Sequence, residues 1–348
     1  MKKWISLFLA LSLASLLGAC GTSPGASSER QDAASNAGKA SGETYTIKLA
    51  HVEPEERSTH VCAVKFKEYL ERETGGKIKV ELYPNAVLGG DVQITEAVSM
   101  GTVQMGFPAT AVMSMYDDSW GVLAMPFLFD SAESCFAALD GDLGKTLGKT
   151  LEPQGIRCLG FSYNGPRSMT NSVRPINTPE DLKGLKVRVM EDPAYIDLFN
   201  TLGANATPMG FNELFTGLQQ KTVDAQENPP SLIYTSKFQE VQKYLSMTEH
   251  VHDPLVVIIN NDFYQSLPQE YQQLVEEASR EFLMKEQIAL ELSETQKYVD
   301  LLAQDGMEVN DVSPENKEKF KEALKPMYEK YEAQLGKELF ELARKYNQ

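Results

Sequence analysis

From Pro268 to about Gln304 an apolar stripe recurs at helical spacing through Tyr271, Val275, Ala278, Phe282, Ala289, Leu292, Val299 and Leu302. Acidic and amide residues lie between, and no proline interrupts the run. At 1.5 Å per residue, a helix of some 35 residues is about 50 Å long, more than a small domain is across. The stripe therefore predicts a body of two lobes crossed by one helix, and 348 residues suffice for two cores. A further helical segment is expected from Pro314 to Tyr346.

Upstream, Thr46–Ala50, Ile78–Leu82 and Val103–Phe107 alternate apolar and polar residues at period two, as half-buried strands do. Between the first two, Cys62, Ala63, Phe66, Tyr69 and Leu70 share a helical face that Thr74-Gly75-Gly76 ends. The order strand, helix, strand, helix, strand predicts an α/β layer with a mostly parallel sheet. Leu185, Val187 and Val189 repeat the alternation, and Leu255–Ile259 reads as a more buried strand.

The first residues, MKKWISLFLALSLASLLGAC, pair two lysines with an apolar run too short to span a membrane comfortably. They read as a signal peptide over 1–19, and Leu17-Gly18-Ala19-Cys20 resembles a bacterial lipobox. That resemblance implies a lipid on Cys20 and an anchor at the outer face of the cytoplasmic membrane; the alternative is an ordinary signal peptide with a chance cysteine. Residues 20–43 contain almost nothing that fills a core and read as a flexible tether. Cys62, Cys135 and Cys158 are odd in number and lack CxxC spacing, so neither a disulfide framework nor a metal site follows from them. The formal charge of −16 argues against nucleic acid or an anionic membrane surface as partner. It also repels anionic solutes, so any site for them depends on local donors.

Three segments are more specific: FSYNGPRSMTN from Phe161, DLKGLKVRVMEDP from Asp181, and PMGFNELFTGLQQKTVDAQENPP from Pro208. In order, spacing and residue type they resemble the solute-binding proteins of TRAP transporters, the dicarboxylate-type DctP family, and the resemblance runs from about Thr44 to the end. It implies a periplasmic-binding-protein-like α/β fold of two lobes, braced by the long helix and enclosing the ligand between them. The expected division is 44–164 plus about 253–292 for lobe I, and 165–252 plus about 293–348 for lobe II. It also implies a monomeric receptor that hands a small organic acid to a membrane permease.

Period two places Arg188 opposite Leu185, Val187 and Val189, which by itself reads as a solvated arginine on an exposed strand face. The resemblance instead makes Arg188 the bidentate grip on a ligand carboxylate, a task suited to the planar guanidinium fork. Arg167 follows the apparent turn Asn164-Gly165-Pro166; it is either a loop arginine tied to a carbonyl or, by resemblance, a second cationic contact. Asn228 is either a turn former before Pro229 or the amide that donates to the same carboxylate. Phe211 is either core or the aromatic against the ligand's apolar face. Ala225 stands where the family usually has Gly, and Gly210 where it has Ala, which touches local backbone spacing more than the role of Asn228.

From the first lobe, His51 and Gln93 are candidates because loops after strands face the cleft in α/β sheets. Glu53, Glu96, His60 and Thr110 are weaker ones. Sialic-acid-binding members place a glutamate after the strand that here ends Phe107-Pro108-Ala109-Thr110, which disfavours sialic acid. No GxSxG, P-loop or GxGxxG frames any of the four histidines, so neither an enzyme nor a cofactor is indicated. His250-Val251-His252 has strand spacing for a metal pair but no accompanying Cys, HExxH or acidic cluster. A structural or adhesive lipoprotein accounts for the anchor and tether but not for the arginine-bearing segments. The expected ligand is a hydroxylated monocarboxylate such as a uronate or another sugar acid, because the first-lobe candidates mix donors and acceptors and offer no second cation. A C4-dicarboxylate or keto acid is the alternative.

Overall fold

The computed structural model describes residues 44–347; the leader, Cys20 and the whole tether lie outside them. Within them the strands are β1 (Tyr45–Ala50), β2 (Ile78–Tyr83), β3 (Met105–Gly106), β4 (Ile156–Asn171), β5 (Lys186–Val189), β6 (Asn205–Pro208), β7 (Ala225–Asn228), β8 (Tyr244–Asn260) and β9 (Glu308–Asp311). They form one sheet in the order β2-β1-β3-β8-β4-β7-β5-β6, with β9 added beside β8. Parallel pairing joins β1 to β2 and β3, β5 to β6 and β7, and β8 to β9. The pairings β3–β8, β4–β7 and β4–β8 are antiparallel, so the sheet is mixed.

Both halves share β4 and β8, which are 16 and 17 residues long. The end of β8 pairs with β3, while the end of β4 pairs with β7 and the start of β8 with β9. Their ladder shifts register between Cys158 and Gly160, between Tyr163 and Gly165, and between Arg167 and Met169. Asn164-Gly165-Pro166 is therefore not a turn but a bulge inside a strand. Gly165 has φ +124°, and a Cβ there would sit 2.7 Å from the Pro229 side chain, so only glycine fits.

The long helix is continuous from Gln269 to Gln304, with a π-helical stretch over Ser279–Glu286 between α-helical ends. It supplies Val275, Ala278 and Leu283 to the core that holds Ile47, Phe66 and Ile259. Leu302, near its other end, joins Leu214, Ile233 and Phe238. It thus joins two of the three hydrophobic clusters of the described residues, one near each of its ends. The C-terminal segment departs from expectation: it forms three helices, Pro314–Ala323, Lys325–Leu335 and Lys337–Arg344. Pro326 restarts the second, and Gly336 at φ +91° breaks the chain before the third. The expected strand Val103–Phe107 is reduced to Met105–Gly106, although the N–H groups of Gln104 and Phe107 still donate to the Lys48 and Ala50 carbonyls at 3.1 and 3.3 Å.

Candidate functional site

Among the described residues three arginines are buried, and they differ in how many of their five N–H donors the protein already occupies. Arg57 is saturated. Its Nε donates to Glu53 at 3.2 Å, Nη1 to Glu291 at 2.9 Å and to the Ser231 hydroxyl, and Nη2 to the carbonyl and side-chain oxygens of Asn164 at 2.9 and 2.8 Å. Burial opposes its charge, but Glu291 and Glu53 outweigh burial and hold it ionised.

Arg167, on β4, is nearly so. Nε and Nη2 grip the Glu227 carboxylate, with Nη2 to Oε1 at 2.7 Å, while Nη2 also reaches the Glu227 carbonyl at 2.6 Å and Asn228 Oδ1 at 3.0 Å. Nη1 meets Asp253 and retains one hydrogen. Burial works against ionisation of Glu227, yet Arg167 and His250 prevail and hold its carboxyl down to about 2. His250 joins Glu227 at 3.2 Å and Thr248 at 2.8 Å, which fixes the ring behind the pair.

Arg188 is different. On β5, flanked by β6 and β7, it is 3 % exposed, which removes the solvated-arginine reading. Its Nε donates to the Met209 carbonyl at 2.8 Å, and its two terminal nitrogens make no hydrogen bond or ion pair among the described residues. Burial and repulsion from Arg167 depress its pKa to about 10, which still leaves it charged at neutral pH. A buried guanidinium with a free fork is the arrangement that accepts a carboxylate with two parallel hydrogen bonds.

Around this fork lie residues from both halves. Asn228 ends β7; Oδ1 accepts from Arg167 and Nδ2 donates to Gln226 at 2.5 Å, leaving one amide hydrogen. Phe211, two residues past the Met209 carbonyl, is half-buried and packs its ring 6.0 Å from that of Phe238. Asp91, which sequence reasoning passed over as part of a helix entry, opens the helix Asp91–Ser99 and interacts electrostatically with Arg188, Glu53 and Asp253. Burial pushes its carboxyl up to about 7, against the pull of the Ala109 N–H at 3.4 Å and of Arg188. At the same helix start, a Cβ on Gly90 would lie 3.1 Å from Asn212 Oδ1, so the two halves meet there. The signal for Asp91 was its place after Gly89-Gly90, where a helix N-terminus follows a strand and a loop.

His51 is buried, shares a 3.1 Å contact with half-buried His60, and turns Nδ1 toward the Glu53 backbone without a well-formed hydrogen bond. Burial and then His60 lower it to about 3, so the ring stays neutral and offers a neutral polar atom. The other first-lobe candidates are engaged elsewhere. Glu53 is Arg57's partner, the Thr110 hydroxyl donates to the Pro254 carbonyl at 3.1 Å, Gln93 is exposed and caps its own helix through Gly90 N at 2.9 Å, and Glu96 is exposed. His252 bonds the Tyr163 hydroxyl at 2.7 Å while His250 serves Glu227, so the two histidines have separate tasks. Open grooves of about 830 and 690 Å³ lie elsewhere, along Lys145, Phe161 and Met284 and along Leu218, Val223 and Gln242. Neither is lined by a buried, unpaired charge, so chemistry rather than size selects the site.

Residues 49–334 match the family described as bacterial extracellular solute-binding protein, family 7, or DctP. The chain belongs to this family. DctP proteins are receptors that bind solute outside the cytoplasm for a TRAP membrane permease, not enzymes, and the two-lobed fold agrees with solved DctP structures. Among relatives, the 2,3-diketo-L-gulonate-binding periplasmic protein YiaO of Escherichia coli is 36 % identical over 267 residues, 77 % of this chain and 80 % of that one. The sugar acid binding protein DctPAm of Advenella mimigardefordensis, solved with galactonate, superposes with a TM-score of 0.85 at 33 % identity, covering 88 % of this chain and 99 % of its own. A TRAP solute-binding protein of Shewanella oneidensis, solved with succinate, gives 0.84 at 29 % identity, covering 88 % and 100 %.

Proposed function

We propose that this DctP receptor encloses a hydroxylated monocarboxylate, a uronate or another sugar acid, with its carboxylate on the fork of Arg188. The free terminal nitrogens of this buried arginine carry the proposal. Arg167 contributes its remaining Nη1 hydrogen and Asn228 its remaining amide hydrogen, while Phe211 covers an apolar face of the solute. Beside the clamp the solute meets Asp91, and farther along it the ring of His51, both of which suit hydroxyls. Arg57 is saturated by Glu53 and Glu291, and Asp253 already holds Arg167, so a second carboxylate would lack a free cation. YiaO and DctPAm, named for sugar acids, support the same class.

A C4-dicarboxylate is the second reading, favoured by the succinate complex of the Shewanella relative. In either case we place lobe I at 44–164 plus about 253–292 and lobe II at 165–252 plus about 293–348. A lipid on Cys20 holds the monomer at the outer face of the membrane, from which it serves its permease. A thermal-shift screen of D-galactonate, D-galacturonate, D-glucuronate, succinate and malate tests the reading, since a ligand of the folded state raises the melting temperature by mass action. Sugar acids are expected to give the largest shifts. Shifts confined to succinate and malate would overturn the sugar-acid assignment.

A further inference from the structure

Arg57 touches nothing a solute can reach, because every N–H it has is accepted by the protein. Its acceptors come from four separate stretches: Glu53 after β1, Asn164 in the β4 bulge, Ser231 in the helix Pro230–Thr235 that follows β7, and Glu291 in the long helix. Glu291 accepts from Ser231 as well and from the Ser58 hydroxyl at 2.6 Å. One turn earlier, Gln287 binds Ser58 at 2.9 Å and both the N–H and carbonyl of Tyr163, at 2.8 and 2.7 Å. Glu53, Arg57 and Ser58 belong to the half of the sheet that carries β1 and β2. Ser231 belongs to the half that carries Arg188. Its hydroxyl sits between Arg57 and Glu291 as the contribution of that second half to a buried ion pair.

We propose that Arg57, Ser231 and Glu291 form a latch that holds the two halves together and sets solute affinity without touching the solute. If the halves part, Ser231 leaves with β7, and both Arg57 and Glu291 lose a partner in a place where water is scarce. The latch therefore biases the protein toward the arrangement that surrounds Arg188, and the apparent dissociation constant scales inversely with the population of that arrangement. A continuous run of buried polar contacts ties it to the clamp: Asn164 Nδ2 donates to Asp253 at 2.8 Å, and Asp253 pairs with Arg167. The inference rests on the solute reading only for its ligand; the latch itself is read from the contacts among these side chains.

Ser231→Ala removes one hydroxyl, leaves the Arg57–Glu291 pair in place, and is expected to fold. It should weaken D-galacturonate or D-galactonate, whichever binds better, by about 10-fold or more in calorimetry, the loss of two hydrogen bonds to charged groups. The loss should appear as faster release, and Ser231→Thr should restore most of it. In solution scattering the ligand-free Ser231→Ala protein should have a larger radius of gyration than the parent. Unchanged affinity and release in Ser231→Ala would overturn the latch. If neither acid binds the parent, the sugar-acid reading fails on its own, and scattering alone decides the latch: equal ligand-free radii overturn it, a larger one upholds it.

Discussion

Replacing Arg188 by methionine should make the ligand-free protein more stable while removing solute capture. Arg188 makes one hydrogen bond, to the Met209 carbonyl at 2.8 Å, worth about 1 kcal/mol. Against that, burial depresses its pKa to about 10, and at 1.36 kcal/mol for each pH unit below the usual guanidinium range this is on the order of 3 kcal/mol of cost. Because the folded group titrates below the unfolded one, the cost is fully present at neutral pH and fades only as pH rises past 10. Methionine keeps much of the apolar volume, so Arg188→Met should raise the ligand-free melting temperature by a few degrees. Binding moves the other way. Truncating one partner of a buried, hydrogen-bonded ion pair costs about 2–5 kcal/mol, or roughly 30-fold to several thousand-fold in affinity. Arg188→Lys should recover only part, since a point charge lacks the two-pronged geometry. Arg174, which holds the Asp181 and Lys183 carbonyls at 2.8 and 2.9 Å, is the control whose alanine variant should bind normally. Differential scanning fluorimetry without ligand and calorimetry with D-galacturonate read the two effects separately. An Arg188→Met protein that is less stable and still binds would show that the fork is structural and the clamp lies elsewhere.

Asp91 gives a pH test. With its carboxyl near 7 and Arg188, Glu53 and Asp253 as its charged neighbours, it gains negative charge beside the clamp as pH rises through 7. A bound carboxylate opposes that ionisation, so solute affinity should fall several-fold between pH 6 and 8.5. Asp91→Asn should flatten the profile, whereas a flat profile in the parent would refute the placement. Cys20→Ser should release the protein from membranes in detergent partitioning, because a lipid there is the proposed apolar attachment; a correctly cleaved variant that stays membrane-bound would remove the anchor.

Legible in the sequence were the features that depend on near neighbours. The stripe from Pro268 to Gln304 specified a helix long enough to serve two cores, and it does reach both. Period-two alternation placed β1, β2 and β5, and it was the resemblance of the segments carrying Arg167, Arg188 and Asn228 to DctP proteins that pointed to an acid receptor before any contact was visible. Not legible were the length and direction of β4 and β8, because each takes its shape from an antiparallel partner far along the chain that only the fold brings beside it. Nor could the sequence rank its arginines. Arg57 drew no notice, yet it reaches Glu291, 234 positions away, while Arg167 finds Glu227 across 60. Local pattern decides which face of an element is apolar; tertiary packing decides which buried charges find partners, and among the described residues it leaves the terminal nitrogens of Arg188 without an ion pair.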